Sequence, residues 1–175
     1  MIHSASMRPE ADEHHPYYAR YIALVPQAMP LPALEEQLAE ILPFLRGLNE
    51  AKGSLRYAPG KWTVKQVLQH VIDGERVFAY RALRAARGDR TPLPGFDENA
   101  FADQADAGQR TIQSLADELE LLRRANLAMF SSMSEEDLRR RTVANGHEIS
   151  VRALAFIIAG HARHHTQLLR ERYLS

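Results

Sequence analysis

SVRALAFIIAGHARHHTQLLRERY, residues 150–173, contains no proline and is long enough for roughly six turns of helix. On a helical wheel at about 100° per residue, Val151, Leu154, Ile157, Ile158, Leu168 and Leu169 fall within roughly 60° of Leu154 and form one apolar stripe. His161 lies about 20° to one side of the stripe's centre, His165 about 20° to the other, and His164 about 80° away at its edge. The segment therefore reads as a core helix, from about Ser150 to Tyr173, that carries two imidazoles on its buried face.

Three more helices are expected N-terminal to it. Leu34, Leu38, Ile41, Leu42, Leu45 and Leu48 share one face, with Pro43 expected to kink that helix. A second runs from an N-cap at Thr63 to Arg87, closed by Gly88, with Val64, Val67, Leu68, Val71, Phe78 and Ala82 as its core stripe. A third spans about Thr111 to Met129 or Met133, and Ser134 with Glu135, Glu136 and Asp137 reads as a short capped turn. The Pro- and Gly-rich DRTPLPGFDENAF, residues 89–101, reads as an ordered loop. Period-2 alternation is nearly absent. The fold class is thus all-α, a four-helix bundle. The connections between the second and third helices, and between the third and fourth, are long enough for crossovers. Residues 1–30, with Pro9, Pro16, Pro26 and Pro30 interrupting them and Pro32 just beyond, and with Tyr17, Tyr18, Tyr21, Ile22 and Leu24 as apolar surface, read as an extended N-terminal arm, and residues 31–175 as a single domain.

Composition narrows the chemistry. The 175 residues include 22 basic and 22 acidic side chains, eight His and no Cys. Without cysteine there is no disulfide, thiolate zinc site, iron–sulfur cluster or cysteine nucleophile, so a metal must be held by His, Asp or Glu. Balanced charge gives no argument for nucleic acid, and the Arg-rich run 76–90 reads as a solvated helix face. No stretch approaches the roughly 20 apolar residues of a membrane helix, and MIHSASMRPEADEHH lacks the apolar run of a signal peptide. The expectation is a cytoplasmic protein that binds neither nucleic acid nor membrane.

His161 and His165, at i and i+4, are spaced to reach one metal ion. A buried histidine is also an ordinary hydrogen-bonded core residue, but two adjacent ones both need partners in an apolar setting. His70, on the flank of the second helix beside Gly74, supplies a third nitrogen, with Gly74 either leaving room for it or serving helix packing. His3, His14 and His15 lie in the arm and His147 in the loop before the last helix. Glu75, near the middle of the second helix's apolar stripe, must pair with a buried Arg or support a metal ligand. Glu75 and Arg81 are the candidate catalytic residues, with Arg81 placed to anchor an anionic group or a loop carboxylate such as Asp97 or Glu98. Glu-x-x-His, HExxH, P-loop and GxGxxG motifs are absent.

GKWTVKQVLQHVIDGERVFAYRALRAARGD, TPLPGFDE and ISVRALAFIIAGHARHHTQLLRERY together resemble the DinB/YfiT family, the damage-inducible four-helix proteins and not the DNA polymerase that shares the name. The resemblance covers about residues 34 to 173. It implies a bundle with crossover connections, a homodimer, and a zinc or nickel ion on His70, His161 and His165. Some of that family are thiol-dependent transferases or isomerases that use mycothiol, bacillithiol or glutathione. The expected function is a divalent-metal-dependent transferase, thiol-dependent in one variant, or a hydrolase, acting on a small molecule. The competing expectation is a non-catalytic, stress-associated bundle whose metal is structural or stored.

Overall fold

The computed structural model describes residues 6–174. Its elements are α1 (Ala19–Ile22), α2 (Pro30–Arg46), α3 (Val64–Ala86), α4 (Glu98–Gln104), α5 (Ile112–Ser131), α6 (Glu135–Arg139), a hairpin of β1 (Arg141–Ala144) and β2 (His147–Ser150), and α7 (Val151–Leu168). A wider helical turn, Leu169–Tyr173, completes the C-terminal helix.

Local chemistry sets the ends of the long helices. Thr63 Oγ1 accepts from Gln66 N at 3.1 Å while Gln66 Oε1 accepts from Thr63 N at 2.9 Å, a reciprocal cap worth about 1 kcal/mol. Ser150 Oγ accepts from Ala153 N at 3.0 Å and starts α7. α2 runs through Pro43 as one element and ends at Arg46, one turn later, so the proline does not break it.

α2, α3, α5 and α7 form the bundle. α3 packs against α7 and α5, and α2 packs against α5 and α7, whereas α2 and α3 touch little, as do α5 and α7. The order around the bundle is therefore α2, α5, α3, α7. Of the two long connections expected to cross, α5 to α7 does so. The α3 to α5 connection joins neighbours, and the other diagonal step is α2 to α3.

Two apolar clusters fill the bundle. Phe78, Leu154, Phe156 and Ile157 belong to one, together with Met7, Tyr21, Ile22 and Val25 of the arm. Leu38, Ile41, Val67, Leu115 and Leu119 belong to the other. The junction falls on α7 between Ala159 and Ala162, where His161 sits. From residue 6 onward the arm is packed rather than loose. Glu13 is buried and accepts from Ser150 Oγ at 2.6 Å and Arg152 Nε at 2.8 Å, which latches the arm to the start of α7. At Gly160 an added Cβ would lie 2.0 Å from the carbonyl oxygen of Tyr21, so only glycine lets the arm cross α7 this closely. His3 lies outside the described residues.

Two elements depart from the sequence reading. The 89–101 segment contains the start of α4, which Asp97 caps by accepting from Asn99 N at 2.9 Å and Ala100 N at 3.1 Å. His147 lies in a strand, not a loop, and the hairpin turns at Asn145 (φ 52) and Gly146 (φ 79), the pair that tight two-residue turns favour. Leu93 joins the hairpin edge through Leu93 N to Val143 O and Asn145 N to Leu93 O, both 2.9 Å. That contact places the following loop over α3.

Candidate metal centre

His70 comes from α3, and His161 and His165 from α7; all three are buried. His70 Nε2 lies 2.9 Å from His161 Nε2, and His165 Nε2 lies 3.1 Å from His161 Nε2. Three nitrogens about 2.0–2.1 Å from one tetrahedral ion would be separated by roughly 3.3 Å. The convergence is thus close to that of a three-nitrogen site. The three side chains are brought together as the sequence expectation required, with all their ligand atoms within 4.8 Å of one another.

The donor chemistry can be tested without an ion. A neutral imidazole Nε2 carries one proton or one in-plane lone pair, so His161 Nε2 cannot satisfy both neighbours by hydrogen bonding. A cation facing three lone pairs resolves that conflict. Burial, reinforced by the neighbouring histidines, pushes His161 and His165 well below the ordinary histidine pKa, and burial followed by the nearby His164 brings His70 down to about 4. Neutral rings with available lone pairs are what metal ligation requires. His165 Nδ1 is buried and has no hydrogen-bond partner among the described residues, so its ring orientation rests on packing and on what its Nε2 meets. The residues present fit a divalent ion.

Aromatic packing holds the rings. Trp62 lies 4.8 Å from the His70 ring centroid, and Tyr173 Oη donates to the Trp62 carbonyl at 2.9 Å, which ties the C-terminal turn to the site. Tyr21 of the arm stacks edge-on over His161 and over His164, both at 5.3 Å. His164 is half-buried at the site's edge. The role expected of Gly74 changes: an added Cβ there would lie 3.1 Å from His161 Cε1, so the missing side chain makes room for the histidine of the opposite helix and not for His70.

Glu75 and Arg81 part company. Glu75 accepts from Arg123 Nε at 2.8 Å, Arg123 Nη2 at 2.9 Å and Asn126 Nδ2 at 3.0 Å, all buried. Its carboxylate is engaged with α5, the structural ion pair anticipated as one of its two readings. Arg81 donates from Nη2 to the Pro94 carbonyl at 2.9 Å rather than to Asp97 or Glu98. Glu98, on the first turn of α4, brings a half-exposed carboxylate to 4.0 Å from His70 Nε2, a neighbour the sequence reading missed because it took the segment for a loop. His70, His161, Gly74, Phe78, Arg81 and Glu98 line a cavity of about 390 Å³, and Tyr18, Phe96, His15 and His147 enclose it from the arm, loop and hairpin. Arg76 and Arg84 pair with Glu118 and Asp89, consistent with a charge-balanced helix face.

The DinB superfamily model matches residues 33–169. The chain belongs to the DinB superfamily. Among DinB relatives, a protein of Oceanobacillus iheyensis named a "putative metal-dependent hydrolase" is 28% identical over 151 residues, 81% of this chain and 86% of that one. A similarly named protein of Geobacillus kaustophilus is 30% identical over 122 residues, 69% of this chain and 68% of that one. Among solved structures, YfiT from Bacillus subtilis, described as a probable metal-dependent hydrolase with an unusual four-helix bundle topology, superposes with a TM-score of 0.70 at 20% identity, covering 93% of this chain and 91% of YfiT. A mycothiol-dependent maleylpyruvate isomerase shares the DinB fold at TM-score 0.66 and 15% identity, over 79% of this chain and 59% of the isomerase. These relatives place the chain in a family of metal-dependent enzymes. Among the described residues no helix is long and apolar enough to cross a membrane.

Proposed function

We propose that the protein is a divalent-metal-dependent enzyme that acts on a small molecule, with His70, His161 and His165 as the ligands and hydrolysis as the reaction. The observation that carries this reading is the convergence of three buried Nε2 atoms, at 2.9 and 3.1 Å, beside a cavity that His70 and His161 line. Three protein ligands leave coordination positions free, and zinc or nickel held there would acidify water and polarise an acyl or phosphoryl group. The chain's own residues supply the rest. Tyr21, Phe78 and Trp62 keep the imidazoles dry and oriented. Glu98 is placed to accept a proton or hydrogen bond beside His70. The relatives' names support hydrolysis. Thiol transfer is the second reading, supported by the mycothiol-dependent isomerase that shares the fold; without cysteine in the chain, the sulfur nucleophile would be a separate small thiol.

The test is turnover by tag-free, zinc- or nickel-loaded protein on ester, amide and phosphoester panels, and on electrophiles with glutathione, bacillithiol or mycothiol. Hydrolysis that is lost in His70→Ala, His161→Ala and His165→Ala supports the leading reading. Turnover only with a thiol transfers the assignment to the second. Full metal loading with no turnover in either panel favours a structural or storage site.

A further inference from the structure

Three arginines are buried in this bundle: Arg81, Arg123 and Arg152, at 3%, 0% and 5% exposure. Two have buried carboxylates. Arg123 grips Glu75, and Arg152 grips Glu13. Arg81 has no carboxylate within 4.0 Å among the described residues; it donates to a main-chain carbonyl, Pro94 O, and the Tyr18 hydroxyl lies beside it. A guanidinium buried without a counter-charge is costly, and its five donors exceed what these two oxygens take.

Its placement gives the missing anion a location. His70, Gly74, Phe78 and Arg81 follow one another at helical spacing on one face of α3, and all four line the cavity, as does His161 of α7. Arg81 thus marks the opposite end of the cavity from His70, with Cα atoms roughly 16 Å apart along the helix axis. Phe78, Tyr18 and Phe96 contribute aromatic surface to the same cavity. Two acidic residues also line the cavity, but both are exposed: Glu98 beside His70, and Glu148, which pairs with Arg141 at 3.4 Å. Solvent screens them, whereas Arg81 is desolvated. The favourable position for a negative charge is the Arg81 end.

We propose that Arg81 is a substrate-binding residue that takes the carboxylate of a small organic acid whose apolar body lies along Phe78 and Phe96, with its reacting group toward the histidines. The proposal rests on the cavity's being the enzyme's site, and it adds the substrate class. A planar fork suits a carboxylate better than a point charge would.

The probe is phenylacetate against its neutral isostere phenylacetamide, measured by calorimetry on the full chain in chelated and zinc-loaded forms. Charge-assisted hydrogen bonds predict that wild type binds the acid more tightly than the amide by about tenfold or more in the chelated form, where no metal can hold the carboxylate. Arg81→Met should bring that ratio to about one, and Arg81→Lys should keep part of it, with zinc content unchanged in both. The wild-type comparison stands even where a variant fails to fold. Equal binding of acid and amide, no binding of the acid, or an acid preference that survives Arg81→Met overturns the proposal. Absent zinc binding with the acid preference intact would instead break the metal reading and leave the anion site standing.

Discussion

Glu75 and His161 both place polar groups inside the bundle, yet the two clusters are built on opposite principles. Around Glu75 every strong group is matched: two Arg123 nitrogens and Asn126 Nδ2 meet the carboxylate, and Arg123 Nη1 also donates to Leu34 O at 3.0 Å and Gln37 Oε1 at 2.6 Å. That network ties α2, α3 and α5 and needs nothing from outside. Around His161 three like nitrogens face one another beside a cavity, and His165 Nδ1 is orphaned. A closed network contributes to specifying the fold; three facing imidazoles without such partners are a donor set suited to a cation.

The sharpest way to break this contrast is to unpair Glu75. Glu75→Gln leaves Arg123 buried without its counter-charge and should cost about 3–5 kcal/mol in urea unfolding, while Glu75→Leu combined with Arg123→Met should recover most of that loss. Metal content per folded chain should not change in either. A loss of metal in folded Glu75→Gln would mean that the two clusters are coupled.

The visible and hidden parts of this molecule follow the same division. The histidine triad was legible because i, i+4 spacing on an apolar stripe is a local property, and His70 lay on a helix with its own clear period. The partner of Glu75 was not, because Arg123 lies 48 residues away and nothing local selects it among the many arginines. The bundle could be read from four stripes, but which helices are diagonal depends on packing. The hairpin had a signal in Asn145-Gly146, and α4 in its Asp97 cap, but both elements are short and rest on α3. Arg81 was visible as a candidate anion anchor. That no described carboxylate lies within 4.0 Å of it needed coordinates.

Acid separates the histidines from another closed pair, Glu13 with Arg152, more gently. His70 titrates near 4 in the fold, against 6.5 ordinarily, so between those values the unfolded chain binds more protons and stability should fall as pH falls. His161 and His165 act in the same direction. For Glu13, burial raises the carboxyl, but Arg152 and Ser150 outweigh it and hold the group at about 2, so its contribution is complete above 4.5 and is lost only as pH falls toward 2. Thermal melts of chelated protein should therefore weaken first between about pH 6.5 and 4, the histidine window. Melting temperatures flat through that window would contradict buried neutral histidines.

The smallest expected effect is at Gly74. An alanine Cβ would press on His161 Cε1 at 3.1 Å, and a shift of a few tenths of an ångström should weaken zinc binding by about tenfold. Backbone entropy favours alanine in a helix by up to about 1 kcal/mol, so thermal stability should change little. Unchanged zinc affinity would show that the ring is free to move.

The most direct test of the central claim is the metal content of tag-free protein, by elemental analysis after gel filtration, for wild type and His161→Ala. Wild type should carry close to one zinc or nickel ion per chain, and a folded His161→Ala variant almost none. Equal metal in the two proteins, or a wild type that takes up none when titrated with zinc and nickel, would contradict it.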